Sequence, residues 1–169
     1  MLTNAEVLEL AKEEYGLTDF DRILRVDRPR FKTFLNSLSN ENLKNDLYQP
    51  LQFRYYDSLG TLKVLYANCD VQYEKKKGKH VWYWNHYGTF DSFPPEEPIS
   101  KLYLHGQNIS NELSSYIPLN TANLNLDSRK PSVIVFWSTG MKEQSQNLID
   151  LVKNYSKSNS ANYLYVHTE

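Results

Sequence analysis

Ser138-Thr139-Gly140 stands between an unbroken apolar run, Val133-Ile134-Val135-Phe136-Trp137, and a segment of helical periodicity that begins near Met141. Two hydroxyls, a glycine and the free N–H groups of a helix start are what a phosphate or carboxylate needs. Backbone N–H dipoles converge there, and the missing Cβ lets an anion come close. The segment therefore predicts either an anion-binding loop or a plain hydroxyl cap on the last helix. His167 or Asp91 would have to approach the loop for it to support proton transfer.

A second group with chemical potential is the strand-like run His80-Val81-Trp82-Tyr83-Trp84-Asn85-His86-Tyr87. At a side-chain period of two, Trp82, Trp84 and His86 share one face. Phe90 and Phe93 follow in the Gly88 to Pro98 segment, which holds Pro94, Pro95 and Pro98 and reads as a loop. Exposed, these five residues would form an aromatic anchor of the kind enriched in protein interfaces. Covered by a helix, they would be core.

The remaining reactive residues carry weaker signals. His80 and His86 share a strand face but lie roughly 20 Å apart, too far to ligate one metal without a bulge. No pair of histidines has the helical spacing of a zinc protease. His86 and Asp91 form a generic base–carboxylate pair across Gly88. Cys69, the single cysteine, lies between Ala67 and Val71 and reads as a buried small hydrophobe. Arg22, Arg25, Arg28, Arg30 and Lys32 are interleaved with Asp19, Asp21 and Asp27. That pattern reads as a solvated, ion-paired face, with Arg22 and Arg25 on one side of a helix, or as a phosphate- or acid-binding patch.

The elements that must position these groups follow from periodicity. Thr3 with Glu6 is a capping box, Val7, Leu8, Leu10, Ala11 and Tyr15 make one helical stripe, and Gly16 is a stop. Phe20, Ile23 and Leu24 continue the helical reading. Asp27 before Pro29 then starts a helix with Phe31, Phe34, Leu35 and Leu38 inward. Ser39 to Leu47 gives one more short helix. Leu51 to Tyr56, a turn at Asp57 to Gly60, a long strand from Leu62 to Tyr73 and the His80 strand read as an antiparallel meander. A short strand at Leu102 to Leu104 and a helix from Ile109 to Ile117 come next. The run Val133–Trp137, a helix inward at Leu148, Ile149, Leu151, Val152 and Tyr155, and a strand at Asn162 to Val166 complete a βαβ unit.

The expected fold class is thus α+β: N-terminal helices over 1–48, a central antiparallel β-meander over 49–105, and a helix plus βαβ closure over 106–169. Together they make a single domain on one mixed sheet packed by helices. Val135 to Gly140 is similar to the first strand and phosphate loop of flavodoxins, and equally to the strand before the redox motif of thioredoxin-like proteins. The loop is one residue short for the first, and Met141 and Gln144 occupy the redox positions of the second, so neither family is assigned.

Composition removes several classes. With 19 Lys+Arg against 20 Asp+Glu there is no basic excess to neutralise a nucleic acid backbone, so nucleic acid is not the expected partner. No apolar run approaches the roughly 18 residues of a membrane helix. The first residues carry no secretory or lipidation signal, which gives a cytoplasmic expectation. One cysteine excludes an intrachain disulfide framework. Residues 48–103 hold 13 of the 23 aromatics, so the meander is the aromatic centre. Two functions follow as expectations. The first is a non-enzymatic protein that binds and neutralises a protein partner, like immunity or antitoxin proteins in general profile, without cofactor or metal. The alternative is a small-molecule or nucleotide-binding enzyme that uses Ser138-Thr139-Gly140.

Overall fold

The computed structural model describes residues 2–19, 22–39, 44, 47–67, 69–74, 79–84, 108–120 and 124–169, with backbone alone over the strand residues from 66 to 84. Helix α1 (Asn4–Glu13) begins where the capping box requires. Thr3 Oγ1 accepts from the Glu6 N–H at 3.3 Å, and the Glu6 carboxylate accepts from the Thr3 N–H at 2.6 Å. The helix stops at Gly16, whose φ of +59° suits a residue without a Cβ. There Lys153 Nζ donates to the Tyr15 and Gly16 carbonyls at 3.1 and 3.2 Å.

Strand β1 (Ile23–Val26) follows where the apolar spacing predicts more helix. Ile23 and Leu24 fit either a helical or a strand period, and the neighbouring strands decide between them. Ile23–Val26 instead satisfies its backbone groups on both sides, parallel to β8 and antiparallel to β6. Arg22 and Arg25 accordingly share no helix face. Helix α2 (Arg28–Ser37) starts as expected: Asp27 Oδ1 accepts from the Arg30 N–H at 3.1 Å, with Pro29 in the first turn and Phe31 and Leu35 buried.

Strand β2 (Gln52–Tyr56) pairs antiparallel with β3 (Leu62–Ala67) through the Asp57–Gly60 turn. Asp57 Oδ1 accepts from the Leu59 and Thr61 N–H groups, both at 2.9 Å, and Gly60 takes a φ of +76°. The expected single strand from Leu62 to Tyr73 is two strands. β4 (Cys69–Glu74) is not part of the sheet that holds β2 and β3 and, among the described residues, pairs with β5 (Lys79–Trp84) in a two-stranded sheet. The expected three-stranded meander is therefore two separate antiparallel pairs. Helix α3 (Ile109–Leu113) ends earlier than its apolar pattern suggests, because Tyr116–Pro118 is needed as strand β6 beside β1. The chain closes with β7 (Ser132–Trp137), a 3₁₀ turn (Thr139–Met141), α4 (Lys142–Ser156) and β8 (Asn162–His167). β7 and β8 are parallel, so the βαβ reading holds.

The result is an α+β fold on a six-stranded mixed sheet in the order β3-β2-β7-β8-β1-β6. Alternation along β7 separates two cores. Val133, Val135 and Trp137 face Val7 and Ala11 of α1 and Leu148, Ile149 and Val152 of α4. Ile134 and Phe136 face Phe31 and Leu35 of α2, with Ile109 and Tyr116 beside them. Aromatic rings cluster on both sides: Tyr15 against Trp137 at 5.0 Å, and Tyr116 against Phe136 at 5.8 Å. Among the described residues no helix is long and apolar enough to cross a membrane.

Candidate functional site

The parallel strands β1, β7 and β8 all end on one edge of the sheet. The chain leaves β1 toward the α2 face and leaves β7 toward the α4 face. Opposed departures leave a crevice beyond the strand ends, which is where open sheets of this kind bind ligands. The crevice is present, with a volume of about 630 Å3, inside the roughly 300–1,000 Å3 that small ligands occupy. Val26, Phe31, Leu35, Leu47 and Phe136 supply apolar wall, and Gln52, Ser138 and Glu169 supply polar edge.

Ser138, the first residue of the Ser138-Thr139-Gly140 loop, lines this crevice together with Glu169, and the loop holds that carboxylate. Ser138 Oγ donates to Glu169 Oε1, Thr139 Oγ1 donates to Oε2, and the Gly140 N–H donates to Oε1 at 3.0 Å. Neither hydroxyl caps the following helix, contrary to the simpler expectation; both are spent on the carboxylate. A Cβ at Gly140 would lie 3.1 Å from Glu169 Oε1, so a side chain there would crowd the carboxylate. Burial disfavours the charged carboxyl, but the hydrogen bonds from Ser138 and Gly140 outweigh it and hold Glu169 below the usual carboxylate range.

Three further contacts fix this arrangement. Ser145, buried on α4, accepts from the Ser138 N–H at 3.1 Å and donates to the Ser138 carbonyl at 2.9 Å. Arg25 donates to the Glu169 backbone oxygen through Nε at 3.0 Å and Nη2 at 2.9 Å, and to the Leu2 carbonyl at 2.9 Å. Its guanidinium thus ties strand ends together instead of facing solvent. His167 lies behind the carboxylate, its side chain fully buried and its ring 4.6 Å from Trp137. Burial pushes the imidazole down to about 4, against the pull of Glu169, so it is neutral at pH 7. Its Nε2 is 3.7 Å from Glu169 Oε2, beyond hydrogen-bond reach, and among the described residues neither ring nitrogen has a hydrogen-bond partner. A buried polar ring left unpaired beside an anion-holding loop is unusual enough to require a reason.

Beneath the crevice lies a charged cluster that sequence reasoning missed. Arg54 and Glu112 are both buried and ion-paired, and the hydroxyls of Tyr56 and Tyr116 donate to the same carboxylate. Arg54 also donates to the Leu47 carbonyl at 2.8 Å and to Gln52 Oε1 at 3.1 Å, and its guanidinium carbon lies 4.3 Å from the centre of the Phe136 ring. Burial would lower Arg54, but Glu112 and the tyrosines hold it above its ordinary value. Both phenols are pushed well up, by burial first and by the Glu112 charge second. Every member is satisfied internally, so the cluster is a rigid floor with no free group to offer a ligand. The signals available were an arginine inside an aromatic strand and a glutamate between Ile109 and Leu113.

The other expected site residues fall differently. Trp82 and Trp84 lie on β5, paired with Val71 and Cys69, and their side chains are outside the described residues. His86, Phe90, Phe93, Asp91 and the segments 88–98 and 102–104 are outside them altogether. In the arginine-rich stretch Arg22 pairs with Asp19 at 3.0 Å and Arg30 with Asp27 at 3.2 Å, while Arg28 and Lys32 line the crevice. Among the described residues no group of three His, Cys, Asp or Glu side chains could hold a metal ion.

Fold and site together define an α+β chain with a ligand-sized crevice at the carboxyl ends of its parallel strands and a carboxylate-holding loop on one wall. No family model, curated protein or solved structure matches this chain, so its function is read from this geometry.

Proposed function

We propose that this protein binds a small acidic molecule in the crevice at the ends of β1, β7 and β8, with the ligand's acid group on Ser138, Thr139 and Gly140. One observation carries the reading: the loop already holds a carboxylate, through two hydroxyls and a backbone N–H, on the wall of a 630 Å3 crevice. The occupant is the protein's own Glu169, whose side chain is 40% exposed and therefore open to competition.

The test is rescue. Glu169→Ala empties the loop. Acetate, against chloride at equal ionic strength, then raises the melting temperature of the variant by about 2–4 °C, the shift that about 1 kcal/mol of ligand linkage gives in a chain of this size. Wild type shows no such shift, and adding Ser138→Ala and Thr139→Val removes it from the variant. Equal acetate effects in wild type and variant would refute the reading. The protein-partner function that the aromatic strand suggests rests on Trp82 and Trp84, and binding to a macromolecule remains a separate proposal to be tested at those residues.

A further inference from the structure

The crevice carries more information about its ligand than the loop alone. Its polar groups divide sharply into those already committed and those that are not. Gln52 gives its amide N–H groups to the Leu47 and Gln49 carbonyls and its oxygen to Arg54. Arg54 itself is consumed by Glu112, Tyr116, Leu47 and Gln52. Ser138 and Glu169 bind each other. Lining residues Arg28 and Lys32, by contrast, make no ion pair or hydrogen bond among the described residues, whereas Arg22 and Arg30 on the same stretch each hold an aspartate.

Arg28 and Lys32 are four residues apart on α2, so their side chains project from the same helix face about one turn apart. Both are exposed, on the wall of the crevice that α2 supplies. Phe31, Leu35, Leu47 and Phe136 line the same crevice with apolar surface. Apolar surface in such a position favours a ligand body without polar groups, since each buried methylene contributes about 0.8 kcal/mol. An unpaired polar atom placed there would instead cost more than it gains. The crevice therefore has two anion positions, the loop and the α2 pair, and an otherwise largely apolar lining.

We infer that the ligand is an apolar molecule bearing two acidic groups, one on the Ser138-Thr139-Gly140 loop in place of Glu169 and the other between Arg28 and Lys32. This inference rests on the loop reading for its first acid group and on the α2 cations for its second. It specifies why the crevice combines uncommitted cations with an internal carboxylate. With no ligand, Glu169 supplies the negative charge the loop requires; with a diacid bound, the ligand supplies it, and Arg28 and Lys32 gain a partner.

The probes are the flexible straight-chain diacids adipate through sebacate, against the monoacids hexanoate through decanoate, titrated by calorimetry into wild type and into Glu169→Ala. A flexible series samples the spacing between the two acid positions, so no single length has to be guessed. The expected result is that at least one diacid binds Glu169→Ala about tenfold more tightly than the monoacid of equal carbon number, the gain from one charge-assisted contact. Wild type keeps the same order of preference at weaker affinity. In Arg28→Glu/Lys32→Glu the diacid advantage disappears while acetate rescue of Glu169→Ala is retained. Both substituted positions are exposed, and a glutamate in the first turn of a helix is favourable, so the variant keeps its fold. Equal affinity for diacids and monoacids, or no binding of either, with acetate rescue intact, would overturn this inference and leave the loop reading standing. Loss of acetate rescue itself would overturn both.

Discussion

His167 makes the stability of this protein depend on pH in a window where surface histidines contribute little. In the unfolded chain its imidazole titrates near 6.5, and in the folded chain burial holds it down to about 4. Between those values the unfolded state binds a proton that the native state refuses, so stability falls as the solution is acidified. Above pH 6.5 both states are neutral at this position and the term is constant. Over the full window the loss is on the order of 3 kcal/mol, from about 1.36 kcal/mol per pH unit. In a chain of this size that corresponds to a fall in melting temperature of about 6–12 °C. Carboxylates held low in the native state, Glu169 among them, add their own loss only below about pH 4.5. Between pH 6.5 and 5 the difference between wild type and a His167 variant therefore reports this histidine.

The assay is thermal or urea unfolding of wild type and His167→Gln at half-unit pH steps. The variant shows a constant offset from wild type above pH 6.5 and a shrinking one below it, because the glutamine has no proton to refuse. A 13C-labelled histidine spectrum of the native protein adds a direct reading, in which the His167 ring does not titrate above about pH 5. Parallel unfolding curves for the two proteins across the window, or a ring that titrates near 6.5 in the native state, would refute the argument. The same spectrum reports on the crevice, since His167 Nε2 lies 3.7 Å from the carboxylate the loop holds.

Two other predictions concern the floor and the entry to α2. Glu112→Leu leaves the Arg54 charge buried and unpaired and costs about 3–5 kcal/mol, whereas the double variant Arg54→Met/Glu112→Leu is markedly more stable than Glu112→Leu alone; simple additivity in urea unfolding would show that the pair is not coupled. Asp27→Ala removes the acceptor for the Arg30 N–H and lowers stability by about 1 kcal/mol in the same assay, while Asp27→Ser retains most of it.

How much was legible before the fold was known depended on how far apart the interacting residues are. Thr3 with Glu6, Asp27 with Arg30, and Asp57 with Leu59 and Thr61 act within one turn of chain, and each was readable as a cap or turn. The βαβ closure was readable too, because an apolar run, a long amphipathic helix and a second apolar strand constrain one another. β1 was read as helix, since Ile23 and Leu24 fit either period and only its neighbours β6 and β8 decide in favour of a strand. The break near Asn68 was missed for the same reason: both halves of the run are rich in strand-formers, and which partner each half pairs with is a tertiary matter.

The candidate site divides along the same line. Strand, hydroxyls, glycine and helix start at Ser138-Thr139-Gly140 are local chemistry, and residue types alone identify the loop as able to hold an anion. That Glu169 occupies it, that Arg25 ties Glu169 in place, and that His167 is buried against Trp137 behind it are contacts across 29 to 144 residues of chain. Arg54 and Glu112, 58 residues apart, belong with them. Their spacing along the chain says nothing about proximity, and a charged residue in an alternating strand looks solvent-facing until the opposite charge is known to be buried against it. Local hydrogen bonding and hydrophobic period thus determined the elements and the anion-competent loop. The crevice, its charge pairing and its internal carboxylate were decided only when long-range burial forced each polar group to find a partner or go without one.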